Sequence, residues 1–348
     1  DDFCRLRARV RDEVISVFYD CYEARDDLYP LIELAQKGAA AGRFGVLCED
    51  GAAKNFTVTG AGEAYAGATF VNPVCYGADP DVLYYEGVYY LYIRKVVGDY
   101  PFTVYTSTDM VNWTEAGGIY EWQPGWSSKY HFMSPNVFCY DGVFYLLFQA
   151  WNNDTDKSAR LFYASASSPL GPFKGCTMLN DVHEIGGHPF VDDDGKAYHI
   201  YSSEENSTTH IAELTPDYTG HTGKFVRVFP GRFMEAPAIF KHKGKYYFIA
   251  SGCTGWAPNA ARSAVAKHIA GPWTELKNPC VGPKAGITFG GQSTYVLPVQ
   301  GKPGKFIFMA DIWRPKNAID GRYLWLPIQF DGDQIKLEWK DEWKLEDL

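Results

Sequence analysis

A lone carboxylate, Glu235, sits in an otherwise uncharged stretch, "FMEAPAIF", from Phe233 to Phe240. Carboxylates among apolar residues are costly unless they are paired or put to work. Met234, Ala236, Pro237, Ala238 and Ile239 around it favour the protonated form by desolvation, as a general acid requires. A second acid, Asp79, opens the comparable stretch "ADPDV". Two carboxylates converging on one pocket suit glycosidic bond cleavage, one protonating the leaving oxygen and the other activating water or attacking directly. The plainer reading makes Asp79 a turn cap before Pro80 and Glu235 a satisfied structural carboxylate. The choice between them rests on the elements that carry the two acids.

Those elements repeat. Pro, an apolar strand, a turn with Gly and an aromatic strand recur in "DPDVLYYEGVYYLYI", "SPNVFCYDGVFYLLF", "HPFVDDDGKAYHIYS" and "APAIFKHKGKYYFIA". A degenerate fifth copy is "GQSTYVLPVQGKPGKFIFMA". The turns Glu86-Gly87, Asp141-Gly142, Asp194-Gly195 and Lys243-Gly244 join alternating runs, as hairpins do. Several copies continue into a third strand and surface turn, as in "YTSTDMVNWTEAG". A period of roughly 50 residues with about four short strands describes a propeller blade. The expected fold is therefore all-β, a five-bladed β-propeller over residues 72–348. In that fold the first strand of each blade lines the central channel, so Asp79 and Glu235, from blades one and four, face each other. "DDDG" at Asp192 to Gly195 lacks the spacing of a calcium loop and reads as a hairpin turn.

The start of the chain reads differently. "RARVRDEVISVFYDCYEARDDLYPLIELAQKGAAAG" has apolar residues at helical spacing and ends in Gly. It predicts one or two helices between Cys4 and Ala41, broken near Pro30, within a helical extension and linker over residues 1–60.

Composition narrows the partners. The chain has 348 residues, 46% hydrophobic, with a net charge of −9. That charge gives nucleic acid or an anionic membrane no electrostatic help and suits a neutral substrate. Aromatics reach 16%, which fits a β-rich core and a site that stacks sugar rings. The eight cysteines form no CxxC or CxxH pair, which argues against zinc and thioredoxin-like chemistry. The even count permits disulfides that a chain of this size does not need. Cys253 reads as a small buried hydrophobe. No run of about 18 apolar residues is present to span a membrane.

The five-blade pattern, "ADPDV", "FVDDDGKAY", "MEAPAIF" and "STDMVNW" together resemble glycoside hydrolase family 43 over about Asn72 to Trp343. "SSEENSTTHIAEL", "EAPAIFKHKGKYYFIASGCTGWAPNAARSA" and "QSTYVLP" are similar to its exo-β-1,3-galactanase branch. The resemblance implies an inverting hydrolase of oligosaccharides or polysaccharides, extracellular or periplasmic, with no cofactor; many members hold a calcium through a blade-five His, which "FGGQSTYV" lacks, so no metal is expected. It implies Glu235 as acid, Asp79 as base and Gln292 positioning water or assisting. It places Gly186 where the family carries a modulating Asp in blade three, with His188 nearby to tune Glu235 or meet the sugar. It puts Met133 or Ser134 where the galactanase branch carries a Glu. Asn206 and Thr254 would hydrogen-bond sugar hydroxyls, Trp256 would offer a stacking face, and His131 would line the pocket. β-Linked galactosyl chain ends are the implied substrate, with α-L-arabinofuranosides or β-xylosides next. A carbohydrate-binding propeller without catalysis is the reading that the missing blade-three Asp favours.

Overall fold

A computed structural model describes residues 5–11, 14–20, 32–35, 69–72, 78–97, 100–121, 130–152, 156–179, 185–255, 257–312 and 322–348. It forms two compact units, Asp1–Ala66 and Gly67–Leu348.

In the first unit the described residues are strands, not the expected helices. β1 (Arg5–Arg11), β2 (Val14–Asp20) and β3 (Ile32–Ala35) form an antiparallel sheet in that order. Leu6, Ala8 and Val10 alternate with Arg5, Arg7, Arg9 and Arg11, a period of two. Val14, Ile15 and Val17 add β-branched residues that favour extended backbone. The rest of the stretch expected to be helical lies outside the described residues.

The second unit is strands and turns. β4 (Thr69–Val71) precedes a sheet of β5 (Ala78–Tyr85), β6 (Val88–Val97), β7 (Tyr100–Ser107) and β8 (Thr114–Tyr120). A second contains β9 (Tyr130–Tyr140), β10 (Val143–Asn152), β11 (Asp156–Ala166) and β12 (Lys174–Met178). A third contains β13 (Ile185–Val191), β14 (Ala197–Ser203), β15 (Thr208–Leu214) and β16 (His221–Val228). A fourth contains β17 (Met234–His242), β18 (Lys245–Gly252), β19 (Arg262–Ala266) and β20 (Thr274–Glu275). Beyond β21 (Cys280–Val281), a three-stranded sheet holds β22 (Gln292–Pro298), β23 (Phe306–Ile312) and β24 (Arg322–Pro327). β25 (Gln329–Asp331) and β26 (Gln334–Glu338) pair with each other, and β27 (Glu342–Lys344) returns to pair with β4.

The hairpin turns fall where the repeat puts them. Glu86-Gly87, Asp141-Gly142 and Lys243-Gly244 each have positive φ at both residues, the mirror-image turn that suits the twist of a tight hairpin. At "DDDG", Asp192 N–H bonds Lys196 O at 2.8 Å and Gly195 N–H bonds Asp192 O at 2.9 Å, a hairpin turn as expected.

First strands neighbour one another in chain order: β5 on β9, β9 on β13, β13 on β17, β17 on β22, and β22 back on β5. Apolar clusters fill the spaces between consecutive sheets. Tyr92, Phe102, Phe132 and Phe148 join the first and second; Phe138, Leu147, Ala197 and Leu214 the second and third. Ile200, Ile211, Ile239 and Phe248 join the third and fourth, and Phe240, Ile249, Phe308 and Leu326 the fourth and fifth. The last cluster joins the fifth sheet to the first through Leu91, Ile93, Met309 and Trp325.

The two ends of the second unit are tied at the same junction. Fully buried Asn72 donates to Trp325 O and Lys340 O, both at 2.9 Å, and accepts Trp325 N–H at 2.8 Å. Phe70 stacks on Trp343 at 4.2 Å between ring centres.

Candidate active site

Near its start each first strand carries one residue more than the stretch of its neighbour that it pairs with. The irregularity falls between Ala78 and Asp81, Met133 and Asn136, Ile185 and His188, Glu235 and Ala238, and Ser293 and Tyr295. Such bulges bend a strand and re-aim its side chains. Asp79, Ser134 and Ala236 take up the kink at φ of 52°, 51° and 50°. Left-handed backbone at a non-glycine residue costs about 1–3 kcal/mol, and it concentrates where function demands it. Pro80, Pro135 and Pro237 follow, residues with no N–H for a ladder to miss.

Glu235 stands at the fourth bulge, half-buried, with polar groups converging on its carboxyl. Asn206 Nδ2 donates to Oε1 at 3.1 Å and Gln292 Nε2 to Oε2 at 3.4 Å. The Cys253 thiol, which donates to Asn206 O at 4.0 Å, is the third group that favours the charged carboxyl. Burial raises the proton affinity of Glu235 above the usual carboxylate range, while the three donors pull the other way and burial prevails. Gln292 is itself fixed by a 2.7 Å bond to Ser251 Oγ, whose hydroxyl donates to Glu235 O at 3.3 Å.

Asn206 comes from a tight turn. Glu204, Glu205 and Asn206 are all left-handed, at φ of 54°, 57° and 63°. A clamp holds the turn from outside: Arg227 donates to both Glu204 oxygens, at 2.5 and 2.6 Å, and His210 Nε2 lies 2.8 Å from Oε1. These donors lower Glu204 to a pKa of about 2. Asn206 Oδ1 is buried with no hydrogen-bond partner among the described residues.

Asp79 occupies the first bulge. Ser134 N–H donates to its Oδ2 at 3.3 Å, and its own N–H donates to Asp311 Oδ2 at 3.0 Å. Burial raises the proton affinity of both acids; the Arg94 charge nearby opposes this. Asp311 is affected more strongly, because Asp79 adds a like charge and Asp311 Oδ1 has no hydrogen-bond partner among the described residues. Asp311 faces Gln292 in the β22–β23 ladder, so one strand pair connects the surroundings of Glu235 to those of Asp79.

His188 does not meet Glu235, against the tuning role expected for it. Its Nδ1 donates to Pro189 O at 2.6 Å, Nε2 lies 3.4 Å from Asp81 Oδ1, and its ring stacks on Tyr295 at 4.5 Å. Asp81, His188 and Tyr295 each follow a bulge, in the first, third and fifth first strands, and this shared register brings them together. Asp81 is buried and also accepts Val137 N–H at 2.8 Å.

The remaining expectations divide. Thr254 is exposed and its hydroxyl is engaged within its own loop, donating to Ala257 O at 2.5 Å and accepting Asn259 Nδ2 at 2.7 Å. His131 lies in β9 opposite Trp151. Trp256 lies outside the described residues. Gly186 sits in the third bulge, and a Cβ on its neighbour Gly187 would come within 2.2 Å of His199 Nε2. Cys253 is no mere packing residue: burial and the Glu235 charge push its thiol up to about 12, so it stays protonated as a donor. Sequence reasoning missed Asp311 and Asp81. The signal was available for Asp311, an isolated acid within the apolar run "FIFMADIW".

The arrangement provides a carboxyl kept protonated at one bulge and a buried acidic pair with a nearby arginine at another. That is the equipment for acid- and base-assisted hydrolysis. Residues 70–322 match the family model described as glycosyl hydrolases family 43. Among solved structures, the chain is similar to a family 43 β-1,3-galactosidase with galactodeoxynojirimycin, at 35% identity and a TM-score of 0.74. That match covers 79% of this chain and 100% of the other. An exo-β-1,3-galactanase from Clostridium thermocellum matches at 28% identity and a TM-score of 0.72, over 80% of this chain and 66% of that one. A β-D-galactofuranosidase from Aspergillus niger is 23% identical over 263 residues, 65% of this chain and 75% of the relative. The protein is a glycoside hydrolase and belongs to glycosyl hydrolases family 43.

Proposed function

We propose that this protein removes terminal β-galactosyl residues from β-1,3-linked galactan, with inversion at the anomeric carbon, on a five-bladed β-propeller formed by residues 72–348. The single observation that carries the assignment of roles is Glu235: a half-buried carboxyl whose proton is favoured by burial and whose two oxygens are held by side-chain amides. It is the general acid, giving its proton to the departing glycosidic oxygen. Asp79, steadied by Ser134 N–H and with the Arg94 charge close by, is the base that draws a proton from the attacking water. Gln292 orients Glu235 and assists that water.

Supporting the five-blade reading are the cyclic order of the first strands and the apolar cluster between the fifth sheet and the first. Supporting the galactoside are the similar β-1,3-galactosidase and exo-β-1,3-galactanase. The unpaired Asn206 Oδ1 is an acceptor suited to a sugar hydroxyl. Thr254, Trp256, His131 and His188 complete the proposed sugar-binding set. A polymeric substrate favours the extracellular or periplasmic space as its place of action.

The test is turnover of β-1,3-galactobiose, aryl β-galactopyranoside, aryl β-galactofuranoside, aryl α-L-arabinofuranoside and aryl β-xyloside, with Glu235→Gln alongside. Release of galactose, lost in the variant, supports the reading. Preferential turnover of a furanoside or xyloside overturns the substrate. Binding of galactan without turnover by either protein would leave a carbohydrate-binding propeller instead.

A further inference from the structure

We infer that Asp311 is a positioning residue for the proposed base: its carboxyl anchors the backbone of Asp79 and thereby aims the Asp79 side chain. The inference rests on the reading of Asp79 as base. Three observations meet here. Asp79 is the left-handed residue of the first bulge, a conformation that needs outside support. Its N–H, freed from the regular ladder by the bulge, donates to Asp311 Oδ2 at 3.0 Å. Asp311 is buried at 5% exposure and belongs to β23, in a different sheet from Asp79.

A buried acid is a costly way to satisfy one N–H. A backbone carbonyl could do it in an ordinary ladder, but the bulge displaces Asp79 from one. Asp311 supplies the acceptor from the neighbouring sheet. The protonation states fit the task. Ser134 N–H supports the Asp79 carboxylate and the Arg94 charge favours it, while Asp311 Oδ1 has no described donor. Burial raises both, and the Asp79 charge adds to it at Asp311, so Asp311 holds its proton the more tightly and Asp79 is the first to ionise. A neutral anchor next to an anionic base avoids the repulsion of two buried carboxylates.

The experiment compares the full chain with Asp311→Asn, Asp311→Ala, Asp311→Glu and Asp79→Asn on β-1,3-galactobiose and an aryl galactoside, following kcat, KM and thermal melting. Asn mimics the neutral acid and keeps an oxygen to accept the N–H; Ala removes it, and Glu moves it by one methylene. A misaligned base costs about 10²-fold. Asp311→Ala and Asp311→Glu are therefore expected to lose roughly that in kcat with KM within about twofold, while Asp311→Asn stays within about threefold of the parent. Should the Ala variant not fold, the contrast between Glu and Asn still tests the anchor. Equal kcat in all three Asp311 variants, or equal loss in Asn and Glu, would overturn the anchor. Asp79→Asn keeps the two failures apart. If it retains full kcat, the base assignment has failed; if it is inactive while the Asp311 variants match the parent, only the anchor has failed.

Discussion

Asn206 links Cys253 to Glu235: the thiol donates to Asn206 O at 4.0 Å, and Asn206 Nδ2 donates to the Glu235 carboxyl at 3.1 Å. The thiol beside it favours the ionised carboxyl and so works against the burial that keeps Glu235 protonated. Removing it has a signed consequence. In Cys253→Ala the proton affinity of Glu235 rises, so the basic limb of the kcat/KM profile moves to higher pH while the acidic limb stays in place. A pH–rate series on the two proteins checks this, and an unmoved basic limb would exclude the thiol from the tuning of the acid.

Glu235→Gln keeps the shape of the side chain and removes its proton. General acid catalysis is typically worth about 10²–10⁴-fold, so kcat on β-1,3-galactobiose should fall within that range. The loss should shrink on a dinitrophenyl galactoside, whose leaving group departs with little protonation. Equal losses on both substrates would assign Glu235 to something other than protonation of the leaving oxygen.

Asn72 joins the beginning and end of the second unit through three side-chain hydrogen bonds at a fully buried position. At roughly 1 kcal/mol each, with buried partners left unpaired, Asn72→Ala should destabilise the protein by about 3 kcal/mol. Urea unfolding would measure it. kcat well below the melting temperature should be unchanged, because the site lies on other strands.

A buried histidine and a half-buried one set an acid limit on stability. His199 Nδ1 and His221 Nε2 lie 3.3 Å apart, and burial lowers His221 to a pKa of about 4 and holds His199 well below the ordinary histidine value. Their folded values lie below the unfolded value of about 6.5. The unfolded chain therefore takes up more protons as pH falls through that value. The stability they contribute is complete above about 6.5 and declines toward pH 4. The melting temperature should drop across that window, and His221→Gln should flatten the drop. An unchanged slope in the variant would locate the acid sensitivity elsewhere.

The repeat made most of this arrangement legible. The Gly-containing turns and alternating strands locate the hairpins, and the isolation of Glu235 in an apolar run marks a buried acid before any coordinates. The rest depended on the bulges. One extra residue per first strand sends His188 toward Asp81 and Tyr295 and away from Glu235, and no periodicity announces it. Asp311 carries the same local signal as Glu235, but its meaning depends on the cross-sheet bond to Asp79. At the start of the chain, "RLRARVR" alternates with period two while the wider window also fits a helix; the shorter period won, as β-branched residues in β2 favour.

The stereochemistry of the first-formed product tests the central claim most directly. Proton NMR during hydrolysis of β-1,3-galactobiose should show α-galactose appearing before mutarotation, as a water activated by Asp79 opposite Glu235 requires. β-Galactose appearing first would mean a covalent intermediate and would contradict the roles given to both carboxylates.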